Sequence, residues 1–382
     1  MKKTIYKYFF YEFLRYFTIT IFALAVIVWT IQAVNYLDLV VEDGHAFKIY
    51  FFYSFLTLSK VITKLIPFCF LISTMLTILK LEKDNELMVL WTSGLNKIQV
   101  VNFLFKLSLL VMLLQLLLTT AINPKLLYLS RSLLKNSELQ FIPSLLKERQ
   151  FNDTVEGLTV FVDKKEENQI YKNIFIRDDG NILSEIGASA STIFAKSGYI
   201  TEDEKNLILY NGSIHRLEKD GAVNIFKFDK TALNLSGITT KSISEPKMQE
   251  TATTQILLCI KTNLEKDFQM KALNIHNCNL DKKNLMDTKI EINKRLGMPF
   301  YIPLISLLCC FFLTSRKDKK IYSYKKYIYF FIGFAILALS EIIVRYSGIS
   351  WTYTSIYYLI PILAAPLFYI ILSRTFKYEN LS

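Results

Sequence analysis

The chain has 382 residues, 52% of them hydrophobic and only 20% charged, with 29 Phe and 22 Tyr. A soluble domain carries about 25% charged residues, and several apolar runs here exceed the roughly 18 residues that suggest a membrane span, so composition excludes an ordinary soluble protein. The formal net charge of +12 lies mostly beside those runs, which excludes a nucleic-acid interface and fits membrane topology instead.

Residues 2–15 (KKTIYKYFFYEFLR) are basic and aromatic and read as an interfacial helix. Leu14–Leu37 follows as the first span; its length reads as a retained span rather than a cleaved leader. Phe47–Leu79 is too long for one straight crossing. It predicts an interfacial lead-in, then a span kinked around Pro67 and ending near Lys80. Ile98–Ile122 is the third span, closed by Asn123–Pro124.

From about 125 to 296 no long apolar run occurs. Residues 158–163, 171–177, 192–200, 206–217 and 222–235 are short, β-rich and partly alternating. Asp179–Gly180, Asn211–Gly212 and Asp220–Gly221 predict turns between them. This pattern predicts an extramembrane β domain, a sandwich or open barrel. Residues 251–296 predict a more helical connector. Met298–Thr314, Tyr327–Tyr346 and Tyr353–Leu372 complete six spans.

An even number of spans puts both termini on one side. Lys2, Lys3 and Lys7, then Arg316, Lys317, Lys319, Lys320, Lys325 and Lys326, then Arg374 and Lys377 mark that side. The positive-inside rule makes it cytoplasmic, together with the loop 80–97, and places the β domain on the outer face.

Cys69, Cys309 and Cys310 lie in apolar spans, whereas Cys259 and Cys278 fall in the exported region, where a disulfide between them is open. With only His45, His215 and His276 no metal site is expected. No GxxxxGK[ST] loop, Ser–His–Asp arrangement or carboxylate pair stands out. The chain is expected to be no enzyme and to hold no cofactor. Transport, tethering or sensing remains.

Residues 83–97, KDNELMVLWTSGLNK, interrupt this plan between the second and third spans. Asp84 or Asn85 suits a helix N-cap and Glu86 the first turn. Leu87, Leu90, Trp91 and Leu95 share one face, and Gly94 suits a left-handed ending. An amphipathic helix over 84–94 either lies in the headgroups or docks a soluble motor and passes its push to two spans.

The segment Glu86-Leu-Met-Val-Leu-Trp-Thr-Ser-Gly94 resembles the coupling motif of the lipopolysaccharide export permeases, the LptF/LptG family. Ile66–Pro67, Pro124, and the small residues and turns around Ala195–Gly198 and Gly212 fit as well. The spellings FNDTVEGLTVFVDKK and IFIRDD look more like the LptF branch. The resemblance covers essentially the whole chain. It implies a polytopic α-helical membrane protein of the bacterial inner membrane, six transmembrane helices (3+3) with an inserted periplasmic β-jellyroll. Residues 1–124 would hold the interfacial helix and spans 1–3, 125–250 the jellyroll, 251–296 the connector and 297–382 spans 4–6. It further implies a permease of an ABC-type complex. ATP would be bound by an LptB-like ATPase dimer, beside a paired LptG-like subunit and LptC/LptA-like jellyroll proteins. Glu86 would contact the ATPase, with Leu87, Leu90 and Trp91 in its groove and Gly94 ending the helix.

For the lipid, Lys60 and Lys64 sit four apart near the outer end of the second span, where they pair with lipid phosphates or snorkel to ordinary headgroups. Glu341 and Arg345, also four apart, form a structural ion pair or give Arg345 to phosphate. Family members often carry basic residues in the outer half of the first span, but Gln32–Asp38 here has none. In the β domain Phe175, Ile193, Ile208, Leu209, Ile225 and Phe228 either line a slot for acyl chains or pack as core. Two other classes stay open: a secondary transporter, and a scaffold or sensor that moves no lipid.

Overall fold

The computed structural model describes residues 2–41, 46–136, 146, 148–155, 157–166, 170–179, 191–201, 206–217, 223–234, 247–264, 282–314 and 322–379. They fall into two units, one from Met1–Thr30, Thr57–Leu127 and Lys247–Ser382, the other from Ile31–Leu56 and Tyr128–Pro246.

Helix α1 runs Lys2–Asn35, followed by a single turn α2 (Asp38–Val41). The interfacial helix and first span expected from sequence are one rod, because no Gly or Pro occurs between Lys2 and Asn35 to break it. Helix α3 (Phe47–Lys83) is likewise unbroken, with Pro67 inside it, where a separate lead-in had been expected. Then come α4 (Glu86–Thr92) and α5 (Lys97–Leu117). A π-helical turn, Leu118–Ile122, leads on into α6 (Asn123–Asn136). The third helix therefore continues past Asn123–Pro124, where an end had been expected. Helix α7 (Thr253–Leu264) and α8 (Lys282–Gly297) follow the sheet, and a short 3-10 turn leads into α9 (Tyr301–Cys310). Helices α10 (Tyr322–Tyr346) and α11 (Trp351–Glu379) close the chain.

Among the described residues, six helical stretches are long and apolar enough to cross a membrane. The second and fourth are central, with 67% and 78% of their apolar windows buried, against 11%, 22% and 17% for the first, fifth and sixth. All ten residues of α9 are buried. Two buried threonines of α3 are satisfied within the helix: Thr74 and Thr77 donate to the Phe70 and Ser73 carbonyls at 2.8 and 2.7 Å.

Proline decides where these helices meet. A proline lacks the N–H that would serve the carbonyl four residues back. Pro67 frees the Thr63 carbonyl, which accepts from Gln115 Nε2 at 3.3 Å. Pro124 frees the Thr120 carbonyl, which accepts from Thr253 Oγ1 at 2.6 Å. Pro361 frees the Tyr357 carbonyl, which accepts from the Tyr301 hydroxyl at 2.9 Å. Each freed group is taken by a side chain from another segment.

The second unit holds strands β1 (Phe151–Val155), β2 (Leu158–Lys165), β3 (Ile170–Asp178), β4 (Ser191–Ile200), β5 (Asn206–Leu217) and β6 (Val223–Asn234). They form one antiparallel sheet in sequential order. Among the described residues no strand pairs out of that order, so what is described of the expected β domain is a six-stranded meander. Its buried face aligns Val160, Ile176, Ile193 and Ile214 across four strands. Asn173 and Asn211 have left-handed φ of 52° and 51°. Each steps the in–out alternation, so Tyr171 and Ile174 both reach the same core.

Asn211–Gly212, expected as a turn, therefore lies inside β5. Gly212 is needed there: a Cβ would stand 2.2 Å from the Phe194 carbonyl oxygen and 2.4 Å from Phe228 Cζ. Asp179–Gly180 and Asp220–Gly221 fall wholly or partly outside the described residues. The opposite face carries a ladder of rings, Phe151 to Phe161 at 4.7 Å, Phe175 to Phe194 at 5.3 Å and Phe194 to His215 at 5.2 Å.

Tyr301→Phe should lower thermal stability in detergent by about 1–3 kcal/mol, because it orphans the buried Tyr357 carbonyl. The loss should shrink in a Pro361→Ala background, where the backbone N–H of residue 361 supplies the missing donor.

Candidate functional site

Two places carry chemistry in the helical unit. The first is α4. Asn85, before it, has a left-handed φ of 58° and makes no side-chain cap bond. The far end closes as a Schellman motif: the Gly94 N–H donates to the Trp91 carbonyl and the Leu95 N–H to the Leu90 carbonyl, both at 3.2 Å. Gly94 takes the φ of +87° that this needs.

The apolar stripe read from the spacing exists, but it faces inward. Leu87 and Leu95 are buried in the helical core, and Leu90 and Trp91 pack against it. Leu87 is therefore closed to any docked partner. The exposed apolar pair is Met88 and Val89, each 65% exposed, which the sequence reading had not selected. Glu86 is engaged as well: its Oε1 accepts the Tyr8 hydroxyl at 3.0 Å.

The second place is a cavity of about 330 Å³. Lys60 and Lys64 line it from α3, Gln115 from α5, Glu291, Lys294 and Arg295 from α8, and Glu341 from α10. Lys60 and Lys64 thus do share a site. Arg345 does not join them; it is exposed on α10. Glu341 pairs with Lys294 at 3.3 Å and not with Arg345. The i,i+4 spacing within α10 is overridden because α8 brings a lysine to the same carboxylate.

Arg295 is the best-held charge in the molecule's described part. It is 4% exposed. Its Nε donates to Glu291 at 2.9 Å, and its Nη1 to the Thr251 carbonyl and Thr253 Oγ1, both at 2.9 Å. Its Nη2 donates to the Met248 and Gln249 carbonyls at 3.3 and 3.0 Å. The segment returning from the sheet is thereby pinned to α8. Thr119 of the π turn donates to the Arg295 carbonyl at 2.8 Å, joining α5 to the same knot. Sequence reasoning missed Glu291, Lys294 and Arg295, because a charged turn before an apolar run looks like an ordinary polar connector.

The cavity holds four cations and two carboxylates. Both carboxylates are paired with α8 bases, which leaves the charges of Lys60 and Lys64 in excess. Gln115 is buried, and its Oε1 has no donor among the described residues.

In the sheet, the six residues read as an acyl-chain path divide between two faces. Ile193 and Leu209 are buried in the core and Phe228 packs against it. Phe175, Ile208 and Ile225 lie on the other side, Ile225 paired with His215. They line no single interior. Cys259 is disulfide-bonded; Cys278, the pairing considered from sequence, lies outside the described residues.

Six apolar crossings with an inserted β domain define a multi-pass membrane protein. The profile of the family described as lipopolysaccharide export system permease LptF/LptG matches residues 7–375. The chain belongs to this family of lipopolysaccharide export permeases. It is also 28% identical over 231 residues to an uncharacterized protein of Rickettsia prowazekii (strain Madrid E), a match that covers 60% of this chain and 62% of that protein.

Arg295→Met should cost about 3–5 kcal/mol, measured as thermal unfolding in detergent, because it strands Glu291 and four acceptors. Adding Glu291→Leu should recover part of that loss.

Proposed function

We propose that this chain is the permease subunit of an ABC-type lipopolysaccharide export complex of the bacterial inner membrane, powered by a separate cytoplasmic ATPase. On this reading it is the LptF-like member, beside a paired LptG-like permease, an LptB-like ATPase dimer and LptC/LptA-like periplasmic proteins. Both termini and α4 face the cytoplasm, and the sheet lies in the periplasm as part of a jelly roll.

The observation that carries the reading is the pair Met88–Val89. A seven-residue helix whose other face is locked into the bundle presents two large apolar side chains outward. That suits a groove in a motor subunit, with Glu86 at its rim. Leu87, Leu90 and Trp91 then hold the helix rather than fill the groove, and Gly94 ends it.

For the lipid, Lys60 and Lys64, which have no ion pair among the described residues, offer two charges to a phosphate, and Gln115 Oε1 accepts from a sugar hydroxyl. Arg345 is left to phosphates at the headgroup level. Phe175, Ile208 and Ile225 keep a place on the acyl-chain path, beside the ring ladder. Ile193 and Phe228 serve as core.

Met88→Asp or Val89→Asp should cut co-purification of the ATPase subunit to below about a tenth of wild type. Trp91→Phe should retain it. Lys60→Gln with Lys64→Gln should reduce photo-crosslinked lipopolysaccharide at least about tenfold, the lower end of the loss expected for charge-assisted hydrogen bonds of about 1.5–3 kcal/mol. Unchanged crosslinking at equal expression would leave both lysines to ordinary headgroups.

A further inference from the structure

We infer that Tyr8 is a positioning residue for α4, and that residues 6–13 of α1 brace the coupling segment so that α1 moves with it. The inference rests on the reading that α4 receives the motor's push.

Helix α4 has only seven residues, too few to hold a direction unaided. Its two flanking helices are its covalent supports. A third support comes from 78 residues away, where the Tyr8 hydroxyl donates to Glu86 Oε1 at 3.0 Å. One helical turn along α1, Glu12 pairs with Lys80 at 2.7 Å, just before α4. Beyond α4, in the second turn of α5, Phe103 stacks on the Tyr6 ring, with centroids 5.2 Å apart and planes 13° apart. Phe9 and Phe13 are each 2% exposed in the same core as Leu87 and Leu95. The start of α1 thus grips the segment before, within and after the short helix.

The rest of α1 is held far less, since only 11% of its apolar window is buried. A rod of 34 residues, gripped at one end and loosely packed beyond, transmits a push from that end along about 50 Å. The coupling helix therefore drives three membrane helices, α1 as well as α3 and α5.

Two measurements test this. Hydrogen exchange on the full chain in detergent should show the amides of residues 89–93 opening at least about fivefold more often in Tyr8→Phe than in wild type. Unchanged exchange overturns the positioning role. In proteoliposomes holding the complete complex, Tyr8→Phe should lower the lipopolysaccharide released per ATP hydrolysed at least about fivefold. In a Glu86→Ala background it should lower it no further, because the two groups act through one bond. A ratio equal to wild type, or losses that multiply, overturns the brace. Faster exchange in Tyr8→Phe with no ATP-driven lipid release even from wild type would instead sink the transport reading and leave the positioning of α4 standing.

Discussion

Everything in the helical unit depends on one demand: in apolar surroundings each backbone N–H and C=O must find a partner. Straight helices meet it internally. Pro67, Pro124 and Pro361 break it, each stranding one carbonyl. The fold answers with Gln115, Thr253 and Tyr301, side chains carried by other segments. Helix interiors that ought to be weakened are thereby turned into junctions. The same demand explains why buried threonines in α3 turn back to their own carbonyls.

Around the second of these junctions the structure gathers its charge. The π turn at Leu118–Ile122 offers Thr119 outward, and Thr253 reaches Thr120 on the next carbonyl. Arg295 ties the same returning segment to α8 with its whole guanidinium. The cavity lies beside this knot, so the walls that carry Lys60, Gln115 and Glu291 belong to elements that are fixed to one another. Geometry of this kind holds a charged group in register with a ligand better than long side chains on separate helices do.

Much of this was legible in the sequence and some of it was not. Hydropathy gave the six crossings, since length and apolar content are local properties. It missed the continuity of α1 and α3, because a basic interfacial segment and a span share one helical propensity when no Gly or Pro separates them. The stripe of Leu87, Leu90, Trp91 and Leu95 was visible from its spacing, but spacing has no sense of inside and outside. Which face meets the bundle depends on the core that Leu87 and Leu95 share with Phe9 and Phe13 of α1, far away in sequence. Asn211–Gly212 has the composition of a turn. Its place in mid-strand was settled by partners on both sides, the Phe194 carbonyl and the Phe228 ring. The Glu341–Arg345 pairing failed for the same reason: a nonlocal lysine outcompeted a local arginine.

The three proline junctions also set an order on biogenesis. The Thr63 carbonyl waits for Gln115, 52 residues later, and the Tyr301 hydroxyl for the Tyr357 carbonyl, 56 residues later. The Thr120 carbonyl waits for Thr253, 133 residues further along. At a synthesis rate of about 5–20 residues per second, that last group stays without its donor for about 7–27 s while the whole sheet is made. The helical half cannot close on itself until the chain has come back through the sheet, so a nascent chain stalled before residue 253 would leave the third helix with an unfinished seam.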